Sequence, residues 1–260
     1  MLQVPKCTDN MGTYGELGVY PLYIDIIDRI MKYWWFIENK SQNVLLKDAY
    51  NSMLDMHHAG TKNWFSFALS VKHALLGPHT DDCAPNKSEI LAIRSELQRR
   101  YTKYWTKSVF DDSSCKSQNG KKLRCYRQFK YAFGSERYLD LLKNSKHRKE
   151  LTRFRLSAHR LNIESGRYTK TSLEDRLCPK CGLNRIEDEM HFLVECPFYS
   201  ELRNNLYDRI KIVSPLISNL EKNDQFIWIM SNTDSDIIIA LATYISRAMS
   251  ERFPGSGSHD

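Results

Sequence analysis

The sequence predicts a mainly α-helical protein: a helical bundle followed by a helical region carrying a small zinc knuckle. Three observations carry this reading. Apolar residues recur at helical spacing, between capping and stop residues, over roughly the first 110 positions. Strict strand-like alternation is scarce. Three cysteines and a histidine crowd one charged segment, LCPKCGLNRIEDEMHFLVECPFYSELR, at 177–203.

Taken in order, the residues before Pro21 read as an irregular start. The stretch LYIDIIDRIMKYWWFI then places Leu22, Ile26, Ile30, Trp34 and Ile37 on one helical stripe. Ser41 and Gly60 bracket a second helix as cap and stop, and Thr61 and Gly77-Pro78 bracket a third. Asn86 and Glu89 form a capping box for a fourth, along which Ile90, Leu97, Tyr101 and Trp105 follow. These segments make residues 16–110 a helical bundle. DDSSCKSQNGKK, at 111–122, is polar and rich in turn formers, and reads as a linker. Residues 123–253 form a basic helical region with the knuckle inside it. One helix there starts at Pro197 and runs to about Lys211, and two more close the chain. The tail at 254–260, PGSGSHD, reads as flexible.

Composition narrows the class. Hydrophobic residues make up 42% and aromatics 12% of 260 residues, enough for a packed core and unlike a disordered chain. The longest apolar run, DIIIALATYI, falls well short of the ~18 residues of a membrane span, so no membrane partner is expected. The N-terminus lacks the layout of a secretory signal. Seven cysteines, an odd number, suit a reducing compartment. The protein is expected to be soluble and intracellular. Cys7, Cys83, Cys115 and Cys125 are scattered and read as incidental thiols.

Cys178, Cys181, His191 and Cys196 follow the spacing C-x2-C-x9-H-x4-C. Thiolates and imidazole are the usual donors of structural zinc, and the short pair lets two sulfurs reach one ion. Four protein ligands leave no position for a reacting water, so zinc here is a scaffold. The bland alternative, buried thiols beside a surface histidine, explains neither the pair nor the turn residues Pro179 and Gly182. In a helical His191–Cys196 stretch the two ligands sit a little over one turn apart, and share an ion if the helix loosens near Cys196.

The net charge is +7, and it is concentrated. Lys116 to Arg160 holds fourteen lysines and arginines against Glu136, Asp140 and Glu150. Such a block favours polyanions through counterion release. Lys121, Lys122, Arg124, Arg127 and Lys130 are candidate phosphate contacts, interleaved with Tyr126, Phe129, Tyr131 and Phe133. Aromatics among cations can stack on unpaired bases, although Tyr126, Phe129 and Phe133 share a helical stripe that also suits a core. Arg153, Arg155 and Arg160 extend the patch toward the knuckle, and Gly166 is expected to allow a tight turn that aims Arg167 at nucleic acid.

The knuckle segment resembles the C-terminal zinc-binding segment of non-LTR (LINE-type) retrotransposon reverse transcriptases. Cys178, Cys181, Asp188, His191, Cys196, Pro197, Tyr199 and Arg203 stand where that family's pattern has them, as do Arg155, His159, Leu161, Gly166 and Arg167 upstream. The likeness covers most of residues 16 to about 250, is strongest over 150–203 and is weak after 210. It implies a module that positions RNA or DNA, a nuclear rather than cytoplasmic location, and an upstream polymerase domain as a further partner.

Catalytic features of that family are missing. Nucleotidyl transfer needs paired aspartates on a strand-turn-strand, and the pairs Asp81-Asp82 and Asp111-Asp112 are followed by polar turn residues. No enzyme activity is expected. Two other classes are weaker: a zinc-stabilised protein-interaction module, and a Cys/His hydrolase using Cys178 or Cys196 with His191, which would leave the metal spacing unexplained.

Overall fold

The computed structural model describes residues 2–78, 80–111 and 122–254. Helices α1 to α6 span Asn10–Leu17, Leu22–Asn39, Val44–His58, Trp64–Leu76, Lys87–Phe110 and Tyr126–Phe129. Helices α7 to α12 span Tyr138–Leu141, Ser145–Arg155, Asn162–Tyr168, Ser200–Val213, Lys222–Ser231 and Ser235–Arg252. Among the described residues there is no strand beyond two isolated bridges, so the mainly α class is borne out. None of the described helices is long and apolar enough to cross a membrane.

The chain divides into two compact units, Tyr20–Trp105 and a second made of Met1–Val19 with Thr106–Asp260. The N-terminal residues thus belong with the C-terminal half, whereas the sequence boundaries ran from 16 to 110. Most of the expected linker and all but the first residue of the expected tail lie outside the described residues.

In the first unit, α2 to α5 pack around Ile24, Met31, Trp34, Ile37, Phe65, Ala68 and Ile93. Ile90, Leu97, Tyr101 and Trp105 are buried as their spacing predicts. The α2 stripe needs correction: Ile24, Asp28, Met31, Trp34 and Ile37 face inward, while Leu22 is 71% exposed and Ile26 48%. Repeated steps of four residues drift about 40° each on a helix of 3.6 residues per turn, so a row of i+4 positions leaves the buried face. Asn43 and Asn63, rather than Ser41 and Thr61, cap α3 and α4, each accepting a backbone N–H inside its helix. The Asn86–Glu89 capping box forms as expected. Lys72 is fully buried yet satisfied, donating to Asp81 and to the carbonyls of Asp81 and Cys83, which ties down the loop before α5.

The second unit contains a helix where an irregular start was expected. Asp9 caps α1 by accepting from Met11 and Gly12. Glycines hide this helix in the sequence because they are poor helix formers. A Cβ at Gly12 would stand 2.7 Å from Leu156 and 3.0 Å from Leu123, so the glycine permits close packing. Helix α1 also delivers Glu16, fully buried, to Arg155 of α8. Helix α12 packs against both α8 and α10, forming the frame behind the cysteine cluster.

Gly166 lies inside α9 without a positive φ, so it does not make the expected turn. It makes room for Arg176, whose buried side chain would lie 2.6–2.7 Å from an added Cβ. The Arg176 guanidinium cannot yield, because it donates to the carbonyls of Thr171 and Ile163. Gly166→Ala should therefore destabilise this unit by about 1–3 kcal/mol, read by denaturant unfolding. An unchanged midpoint would show that Arg176 has room to shift.

Candidate metal centre

Two local structures bring the four candidate ligands together. An isolated antiparallel bridge, Leu177 to Ile186, closes a hairpin, with the Cys178 N–H donating to Arg185 O at 2.8 Å and Glu187 N–H to Arg176 O at 2.9 Å. The chain turns at Gly182 and Asn184, both with positive φ (66° and 51°), where glycine and asparagine cost least. Cys178 and Cys181 sit on this hairpin. His191–Glu195 then forms a single π turn, with Cys196 N–H donating to His191 O at 2.7 Å. An i→i+5 bond makes residues five apart neighbours, which a regular α-helix does not. The loosening expected near Cys196 takes this form. Pro197 follows at the start of a short 3-10 turn that leads into α10.

The four ligand atoms lie within 4.8 Å of one another. Cys178 and Cys196 sulfurs are 3.9 Å apart, and Cys181 Sγ is 3.4 Å from His191 Nε2. A tetrahedral ion with thiolate arms of about 2.3 Å has edges of about 3.8 Å, so the cluster has the dimensions to hold one metal ion. With Nε2 turned to the cluster, His191 Nδ1 faces Glu195 at 3.4 Å, and Arg185 holds that carboxylate from outside. A carboxylate behind a ligating imidazole fixes its tautomer and its aim.

Burial pushes the Cys178 thiol up, and pushes Cys196 up to about 12 with Cys178 and Cys181 adding to it. Three sulfurs this close resist ionising together. A cation removes that obstacle, which makes the donor set fit a metal better than three free thiols.

Polar side chains tie the backbone of the centre to its surroundings. Arg203 donates to the carbonyls of Leu193 and Cys196, and Tyr244 to that of Phe192, so the carbonyls freed by the π turn find partners on α10 and α12. Glu187 accepts from Arg252 at 2.6 Å and from the Asn162 N–H at 2.8 Å, binding the hairpin to both α12 and α9. Asp188 caps the turn by accepting from His191 N–H at 2.8 Å. The neighbouring Glu189 enters a buried cluster with Arg124, Ser157 and His159. Burial pushes the Glu189 carboxyl up, but Arg124 and His159 outweigh it and hold the group far below the usual carboxylate range. His159 is thereby a structural residue, with its other ring nitrogen accepting from Leu161 N–H.

The candidate phosphate contacts divide. Arg155 is buried against Glu16 and Glu136 and stacks over Phe129 and Tyr138. Lys130 is buried against Glu136 and the Gly134 carbonyl, and Arg124 is bridged between Glu164 and Glu189. Arg155 and Lys130 are buried in holding the unit together, while Arg124, 22% exposed, is held between Glu164 and Glu189. Lys122 donates to the Cys7 carbonyl, Arg153 to that of Gln3, and Arg167 pairs with Glu164. Arg127 is half-buried, Arg160 is exposed over the Phe253 ring, and Lys121 lies outside the described residues. Tyr126 and Phe129 are core, whereas Tyr131 is 64% exposed.

Sequence reasoning missed Glu195, Arg176, Glu187 and Arg252. Glu195 alone had a local signal, since it stands four residues after a ligand histidine. Comparison with known protein families, with curated proteins and with solved structures finds no match to this chain.

Loading a divalent ion should release close to three protons per chain near neutral pH, one from each cysteine of the cluster. Titration calorimetry in buffers of different ionisation enthalpy measures this, and affinity should fall as pH falls. Glu195→Ala should weaken metal affinity about tenfold or more while the chain stays folded. Glu189 stabilises the fold at every pH above the ordinary glutamate range, and its contribution is lost as pH falls through its depressed value. Glu189→Gln should therefore flatten the acid limb of the stability profile.

Proposed function

We propose that this chain is a zinc-stabilised nucleic-acid-binding module, resembling the C-terminal region of a retrotransposon reverse transcriptase and lacking its polymerase core. The observation that carries the reading is the convergence of Cys178, Cys181, His191 and Cys196 to within 4.8 Å. Three cysteines and an imidazole, buried except for half-buried Cys181 and within 4.8 Å of one another, suit zinc better than the harder divalent ions, which take oxygen ligands. Bound zinc would hold the hairpin against the π turn. With all four positions taken by protein it activates no water, so the module binds and does not catalyse.

The basic block supports the nucleic-acid half of the reading. With Arg155 and Lys130 enclosed and Arg124 held between two carboxylates, the work of meeting phosphates falls to exposed Arg160 and to the half-buried Arg127, Arg153, Arg167 and Lys122. Exposed Tyr131 is the aromatic available to stack on an unpaired base. The family likeness favours a nuclear site and an upstream polymerase domain as a neighbour.

A second reading, a zinc-stabilised protein-interaction module without direct nucleic-acid contact, draws on one observation. Leu22, Ile26, Tyr33 and Phe36 form an exposed apolar row on α2.

Anisotropy titrations of labelled single-stranded RNA, single-stranded DNA and duplex DNA, repeated across salt, decide between the two. The nucleic-acid reading predicts binding whose logarithm falls linearly with log salt, weakened by Arg160→Glu. Absence of binding at low salt by zinc-loaded protein would leave the interaction module standing.

A further inference from the structure

A groove of about 420 Å³ runs between α10 and α12, and its lining includes Tyr244, whose hydroxyl donates to the Phe192 carbonyl at the metal centre. Its lining is mixed: Leu202 and Leu206 on α10 and Ile239 and Ala240 on α12 supply aliphatic surface, with Asn205, Thr243 and buried Tyr244 between them. Ile239 is 45% exposed, although apolar side chains of its helix on the opposite face are fully buried. Ile212 and Val213, 74% and 52% exposed, continue the α10 face at helical spacing beyond Leu202, Leu206 and Arg209.

The rim is positively charged. Arg209 and Arg247 line the groove, both exposed and neither held in an ion pair or hydrogen bond among the described residues. Asp236 is the acid in the lining, and it stands in the first turn of α12, where the helix dipole already complements it. On the neighbouring α8, His147 is disfavoured as a cation by its partial burial and by Lys146 and Arg247, which marks the field there as positive.

We propose that this groove docks an acidic amphipathic helix of a partner protein. Two neighbouring helices offering aliphatic side chains in a trough accept a third helix through apolar anchors at i, i+4 and i+7. The groove spans Leu202 to Arg209 on α10, about 10 Å at 1.5 Å per residue, which matches those two turns. Arginines on both helices select carboxylates on the flanks of the incoming helix and reject a basic one. The aromatic residue in the lining, Tyr244, is buried with its hydroxyl donated to the Phe192 carbonyl, so it is not an open platform of the kind on which single-stranded bases stack. This inference stands apart from the nucleic-acid reading, since none of its residues belongs to the block at 116–160.

The test uses the zinc-loaded full chain and a fluorescein-labelled helical peptide with leucines at i, i+4 and i+7 and glutamates on both flanks. A version with lysines replacing the glutamates and a labelled single-stranded oligonucleotide are titrated in parallel. The acidic peptide should bind, the lysine version should bind at least about tenfold more weakly, and Ile239→Glu and Arg247→Glu should each cost about tenfold. Both substituted residues are exposed, and thermal unfolding of each variant verifies the fold. Failure of the acidic peptide to bind, or equal binding of the two peptides by the unmodified chain, would overturn the proposal. So would loss of oligonucleotide rather than peptide binding in Arg247→Glu, which would reassign the groove to nucleic acid.

Discussion

The C-terminal half of this protein depends on one backbone irregularity, the π turn from His191 to Glu195. Without the extra residue in that turn, His191 and Cys196 would point to different sides of a helix, and the hairpin carrying Cys178 and Cys181 would face half a site. The turn exposes carbonyls that a regular helix would have used. Arg203 and Tyr244 take up those of Phe192, Leu193 and Cys196, so the cost of the irregularity is spread over α10 and α12. Geometry at the ligands and packing of the two longest C-terminal helices are therefore one problem with one solution.

Around this centre the unit is held by buried charge. Arg124 with Glu164 and Glu189, Arg155 with Glu16 and Glu136, and Arg252 with Glu187 each join segments distant in the chain. Such pairs contribute modest net stability, because desolvation opposes the attraction, yet removing one partner strands the other. Their effect is register: they fix α1 against α8, α12 against the hairpin and, through Arg124, α9 against Glu189. The high positive charge of the block at 116–160 is thus partly internal, and less of it faces solvent than the residue count suggests.

The metal centre was legible because its information is local. Cys-x2-Cys and His-x4-Cys report which atoms can meet within a turn or two, and Gly182 marks the bend between them. The bundle helices were legible for the same reason, through caps such as Asn86–Glu89 and periodic apolar residues. What escaped was set by distant partners. Arg155 reads as one more cation until Glu16, 139 residues away, is found against it. Gly166 reads as a turn until Arg176 is found lying over it. Helix α1 escaped because its glycines serve close packing, which sequence periodicity does not register.

The most direct test of this account is native mass spectrometry of the reduced, folded chain before and after chelation, with Cys196→Ser beside it. The account predicts one zinc ion per chain, removed by chelator and weakly held or absent in the variant. A reduced, folded chain that carries no metal, and takes up none when zinc is supplied, would contradict it.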